Sequence, residues 1–129
     1  MDQAPLPDKV KRFIGLYIPS VPYIEALLIM RSEATKSWDN KELSQRLYLD
    51  DAATQTLLDN LLARGALAPD EPLASRYRYQ PKTPELRQMI DWLCTCYAQD
   101  LIGVTNFIHS SMNKKAVSFA NAFKWKKDK

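Results

Sequence analysis

Arg76 and Arg78 alternate with Tyr77 and Tyr79 in a run that reads as extended, and two guanidinium groups on one face of a strand are suited to neutralising phosphate. With the tyrosines packed inward, both arginines would point to solvent, where they could track a nucleic-acid backbone or enter a minor groove. An ordinary solvated strand face is the plainer alternative. A second candidate set lies upstream, in a helical stretch over residues 51–64. There Thr54, Leu58, Leu61 and Leu62 share one face, and Ala52, Ala53, Thr56, Asp59, Asn60 and Ala63 share the other. Asn60 or the flanking Gln55 could bond an adenine edge, while Ala52, Ala53 and Thr56 could meet a thymine methyl. No Lys or Arg stands at the front of this helix, and Asp50, Asp51 and Asp59 would meet phosphate unfavourably unless they cap or face away. Lys36, Lys41 and Arg46 could add backbone contacts. The candidate residues for duplex DNA are therefore Lys41, Ala52, Ala53, Gln55, Thr56, Asn60, Arg76 and Arg78, with a protein partner for the same face as the alternative.

Catalytic chemistry finds little footing. The chain has one histidine, His109, only three glycines and no phosphate-cradling Gly motif. His109 suits a capping or interface role better than that of a base. Cys94 and Cys96 are the only cysteines, and on a helix they sit roughly 200° apart, too divergent to share a metal or bridge each other. They read as reduced packing thiols. No enzymatic activity, cofactor or metal is expected.

Local signals define the elements that must position these residues. Asp39 and Glu42 form a capping-box pattern that starts a helix over residues 41–47. Residues 48–50 make a turn, Asp50 caps the second helix, and Gly65 follows where a left-handed terminator is cheapest. Residues 66–68 and 76–80 then read as two strands joined by the Pro-containing loop 69–75. Two short helices with a tight link followed by a hairpin are the layout of a winged helix-turn-helix.

Flanking segments extend that unit. Val10, Phe13, Ile14 and Tyr17 recur at helical spacing, Pro19 interrupts, and Pro22 restarts a helix that is apolar almost all round at residues 27–30. Thr83 and Pro84 give a strong start signal. From there Leu86, Met89, Ile90, Leu93, Cys96, Tyr97, Leu101, Val104, Phe107 and Ile108 fall within about a 140° sector, which predicts one helix of about seven turns. Asp100 falls inside that sector and predicts a break or a polar contact, because a lone buried carboxylate is costly. A stripe of this length suggests a homodimer through Leu93, Tyr97, Leu101, Val104, Phe107, Ile108, Phe119 and Phe123. The alternative is that the terminal segments fold back over the helix within a monomer.

These features together resemble bacterial winged-helix transcriptional regulators of the MarR-like kind. The resemblance is nearer to small bacterial winged-helix proteins in which a long helix precedes a Phe-Ala-x-Ala-Phe segment, here Phe119 to Phe123. It covers about residues 20–124. It implies a mainly α protein, with a two-stranded wing and N- and C-terminal helical extensions, that acts on duplex DNA as a homodimer. A winged-helix protein-interaction module without DNA binding is the alternative. The expected division is an N-terminal helical extension over 1–19, the winged helix-turn-helix over 20–81, a long C-terminal helix over 82–110 and a short helix with a basic tail over 111–129. Net charge is +3, yet residues 38–64 hold five carboxylates against three cations, and residues 111–129 hold six lysines against one aspartate. The basic excess thus lies in the tail, which could grip an anion or simply solvate the terminus. No segment approaches the ~18 apolar residues of a membrane span, and the first residues lack a signal-peptide pattern. A cytoplasmic location without membrane insertion is expected, and the sequence names no small-molecule effector.

Overall fold

Helices and one antiparallel hairpin make up the computed structural model, which describes residues 6–70, 72 and 75–111. Helix α1 (Asp8–Tyr17) buries Val10, Phe13 and Ile14 of the stripe its spacing predicts, while Tyr17, the last of that stripe, stays exposed at the helix end. Ile18 to Ser20 turn the chain through 104° into α2 (Val21–Ser32). Ser20 caps α2 by accepting from the Tyr23 N–H, and Pro22 sits in the first turn, where its missing donor costs nothing. Tyr23, Ile24, Ala26, Leu27 and Met30 are all buried, as a helix apolar on most sides requires.

Helix α3 (Asn40–Leu47) starts with the full capping box: Asp39 accepts from the Glu42 N–H at 2.8 Å while Glu42 accepts from the Asp39 N–H at 2.9 Å. It ends at Tyr48, whose φ of 57° is left-handed and whose ring is 94% exposed. Such a backbone costs a non-glycine residue about 1–2 kcal/mol. Asp50 caps α4 (Asp51–Ala63) through the Ala53 N–H, and Thr54, Leu57, Leu58 and Leu61 form its buried face. Gly65 closes this region at φ 83°, as its position predicts, and a Cβ there would press on Lys82 at 3.1 Å.

The hairpin pairs β1 (Leu67–Pro69) with β2 (Tyr77–Tyr79), Leu67 opposite Tyr79 and Pro69 opposite Tyr77. Strand β2 is two residues shorter than expected, and β1 has the expected length but lies one residue later. On the other edge of β2, Trp38 and Tyr77 exchange both backbone hydrogen bonds at 2.8 Å, so the segment before α3 pins the hairpin to the helices. Trp38 is itself 1% exposed.

Helix α5 (Pro84–Gln99) begins where Thr83 accepts from the Leu86 N–H. The expected seven-turn helix does not occur. Asp100, at φ −146° and ψ 68°, leaves helical geometry, and a further helix, α6, follows over 101–111. The Asp100 carboxylate accepts from the Gly103 N–H at 2.9 Å and so caps α6. A Cβ on Gly103 would overlap that carboxylate. The break therefore answers the problem of a carboxylate on the apolar stripe by turning it into a cap. It also corrects the expected 82–110 single helix.

One core joins these elements. Val10 and Phe13 of α1 belong to the same buried cluster as Leu27, Trp38, Leu58, Ile90 and Val104, so α1 is docked into the core of the helices that follow. The chain is thus mainly helical with a small two-stranded sheet. The expected short helix over 114–123 and the basic tail lie outside the described residues.

Candidate functional site

The candidate surface is formed by α3, α4 and the hairpin. Helices α3 and α4 pack together, and α4 and α2 pack against the strands, which sets α4 with one face in the core and the other outward. Ala52, Ala53 and Thr56 are exposed on the outward side, as the helical period predicts. The Thr56 hydroxyl donates to the Ala52 carbonyl of its own helix at 3.2 Å. Lys41 is exposed on α3.

Gln55 is engaged within the protein rather than held ready for a base edge, and Asn60 lies further along α4. Both are half-buried. Gln55 accepts from Asn40 at 3.0 Å and donates to Asp59 at 2.9 Å, with the Tyr77 hydroxyl at 3.4 Å. Asn40 also donates to the Asp51 carbonyl at 2.9 Å. This network ties the start of α3 to α4 and to the hairpin, and swinging Gln55 outward would break it.

Arg76 departs most from expectation. It does not project beside Arg78. Its guanidinium turns back onto the start of α3, donating to the Ser37 carbonyl at 2.7 Å, the Ser37 hydroxyl at 2.9 Å, Glu42 at 2.9 Å and Asp39 at 3.3 Å. The two carboxylates that build the capping box therefore also hold Arg76, and its side chain is only 27% exposed. Four fixed acceptors match the fork of a guanidinium, which explains why the side chain is held here rather than in solvent. Arg78 does point outward, 44% exposed, with Asp70 at 3.9 Å. Tyr79 packs inward as expected, whereas Tyr77 is only half-buried.

The charge on the outward face of α4 is negative. Asp51 and Asp59 stand exposed on α4, and Asp50 is engaged as its cap. Arg64 sits half-buried over the Tyr23 ring at 5.6 Å, on the core side. Lys36 and Arg46 lie over the Trp38 ring at 4.7 and 5.5 Å, and Arg46 pairs with Glu33 at 2.9 Å. Two of the three cations offered for backbone contacts are thus engaged around one buried indole. The cationic candidates that remain outward are Lys41 and Arg78, the latter with Asp70 at 3.9 Å.

A second polar cluster lies where α2, β2 and α5 meet. Arg31 and Asp91 pair at 3.0 Å. Burial raises the Tyr79 hydroxyl to about 12, with the nearby Asp91 charge adding to the effect. Burial likewise raises the Cys94 thiol to about 11, and Cys96, half-buried, shifts upward for the same reason. Both thiols are free, and the raised values mark them as poor nucleophiles. Among the described residues no cluster of His, Cys, Asp and Glu could hold a metal ion. His109 is exposed on α6.

Of the residues expected to pair two copies, Leu93, Tyr97, Val104 and Ile108 are buried within the protomer's own core and Phe107 is half-buried. Only Leu101 is largely exposed, at 53%, because the Asp100 break rotates it off the stripe. Phe119 and Phe123 lie outside the described residues. The residues missed from sequence are Asp39 and Glu42, whose capping signal concealed their second role as acceptors for Arg76, and Trp38, whose strand pairing has no local signature. No family model matches the chain, and no curated protein matches it. Among the described residues no single helix is long and apolar enough to cross a membrane.

Proposed function

We propose that this chain is a winged-helix interaction module of MarR-like descent, acting in the cytoplasm without catalytic chemistry, whose α3–α4 face contacts a protein rather than duplex DNA. The observation that carries this reading is the capture of Arg76 by Asp39, Glu42 and Ser37. That capture removes one of the two wing cations from a surface whose reading helix already presents Asp51 and Asp59 and no Lys or Arg. Phosphate neutralisation supplies most of the affinity of a DNA-binding protein, and Lys41 and Arg78 alone supply little of it. Small exposed side chains such as Ala52, Ala53 and Thr56 suit close approach of a partner backbone. A monomer fits the burial of four of the six described residues that would have paired two copies.

A homodimeric transcriptional regulator is the competing function, favoured by the outward placement of Arg78 on the hairpin. Fluorescence anisotropy with a mixed-sequence duplex at low and moderate salt separates the two. The interaction-module reading expects no saturable binding at low salt. Saturable binding with a steep salt slope that Arg78→Ala and Lys41→Ala each flatten by about one contact would replace it with the DNA reading.

A further inference from the structure

A groove between α2, the end of α3 and α5 has the character of a docking site. Leu28 and Ile29 of α2, Leu47 and Tyr48 at the end of α3, and Tyr97 of α5 line it, with the exposed Glu25 beside them, and it encloses about 370 Å³. Leu28, Ile29 and Leu47 are half-buried and so still present apolar surface to it. Tyr48 is the unusual wall. It holds a left-handed backbone that favours Gly or Asn, and its ring, 94% exposed, gains no packing in return. A large aromatic retained at such a turn is accounted for by something that covers it.

We infer that the occupant is the Phe119 to Phe123 segment of the same chain. Three observations point to it. Tyr97 interacts with Thr105 of α6, so the last described helix runs past the groove wall. From Thr105 to residue 111 is about 9 Å of helix, and the eight residues from there to Phe119 span at most about 28 Å. The groove is therefore within reach without unfolding α6. Next, Phe119 and Phe123 stand four positions apart, a spacing that sets two rings on one side of a helix, to match the apolar and aromatic walls. Lastly, Lys124 directly follows Phe123, and Glu25 provides an exposed carboxylate at the groove, whose own cation, Arg46, is already paired with Glu33 at 2.9 Å. The docked segment covers Tyr48 and the apolar floor and draws the +5 charge of residues 111–129 toward the body of the molecule. This inference does not depend on which partner the α3–α4 face takes.

The test uses the full-length chain with p-benzoylphenylalanine in place of Tyr48, irradiated at low micromolar concentration and mapped by mass spectrometry. The expected adduct joins position 48 to residues 112–129 within one chain, and it is lost in the Phe119→Asp/Phe123→Asp variant, whose circular dichroism should match the parent. If that variant unfolds, Ala at the same two positions replaces Asp. The same photoprobe at Trp92, a half-exposed aromatic elsewhere on α5, gives no adduct with the tail. The inference is overturned if position 48 forms no tail adduct, if its adducts join two chains, or if the adduct persists when both phenylalanines are changed.

Discussion

Replacing Arg76 by Ala should damage the fold rather than a binding surface, and the size of the effect can be worked from its contacts. The two ion pairs, to Glu42 at 2.9 Å and Asp39 at 3.3 Å, have acid side chains 38% exposed, so each is discounted to roughly 0.5 kcal/mol by solvent screening. The bonds to the Ser37 carbonyl and hydroxyl, at 2.7 and 2.9 Å, add about 1 kcal/mol together. A loss of about 2 kcal/mol follows, or about 6–10 °C in Tm for a domain of this size. Arg78, with one carboxylate at 3.9 Å, should cost under about 0.5 kcal/mol when changed to Ala. Arg76→Lys keeps the charge but cannot reach all four acceptors, so it should fall between the two. Urea denaturation followed by far-ultraviolet circular dichroism measures all three variants, and in 1 M salt the ion-pair share of the Arg76→Ala loss should shrink. Equal stability of Arg76→Ala and Arg78→Ala would refute the claim that Arg76 is a structural clamp and would return it to the outward surface.

Further outcomes follow from the same geometry. In the Phe119→Asp/Phe123→Asp background, where no docked segment covers the ring, Tyr48→Gly should stabilise the chain by about 0.5 kcal/mol, since relief of the left-handed strain outweighs the added unfolded-state entropy; a destabilised melt there would contradict this. Asp100→Ala should cost about 1 kcal/mol by removing the α6 cap, and slower exchange of the Gly103 amide in that variant would count against the capping role. Cys94 is raised from about 9 to about 11 and Tyr79 from about 10 to about 12. Their contribution to stability is therefore fully present below pH 9 and is lost as pH rises through the folded values. Alkaline unfolding should begin above pH 9, and Cys94→Ala should flatten its first part. At pH 8 a thiol reagent should label half-buried Cys96 well before Cys94, and the reverse order would show that burial does not control their reactivity. Light scattering at micromolar concentration should give a mass near 14.8 kDa, whereas twice that value would restore a dimer.

What the sequence determined by itself are the features whose cause lies within three or four residues. The Asp39 and Glu42 capping box, the Asp50 and Thr83 caps and the left-handed Gly65 are present as read, and the α1 stripe is present but for Tyr17, because a helix start or a glycine turn is decided by neighbours already adjacent in the chain. Asp100 was legible in kind, since a carboxylate on an apolar stripe demands a break or a partner, but its choice of a break depended on the path of α6. Tertiary structure alone decided where Arg76 points. Its acceptors Asp39 and Glu42 are 37 and 34 residues away, and alternation along a strand says which face a side chain takes but not what stands opposite it. The same holds for the Trp38 and Tyr77 pairing and for the burial of Leu93, Tyr97, Val104 and Ile108 in the protomer's own core. Hydrophobic periodicity identifies a surface that must be covered, while the element that covers it is chosen by packing across the whole molecule.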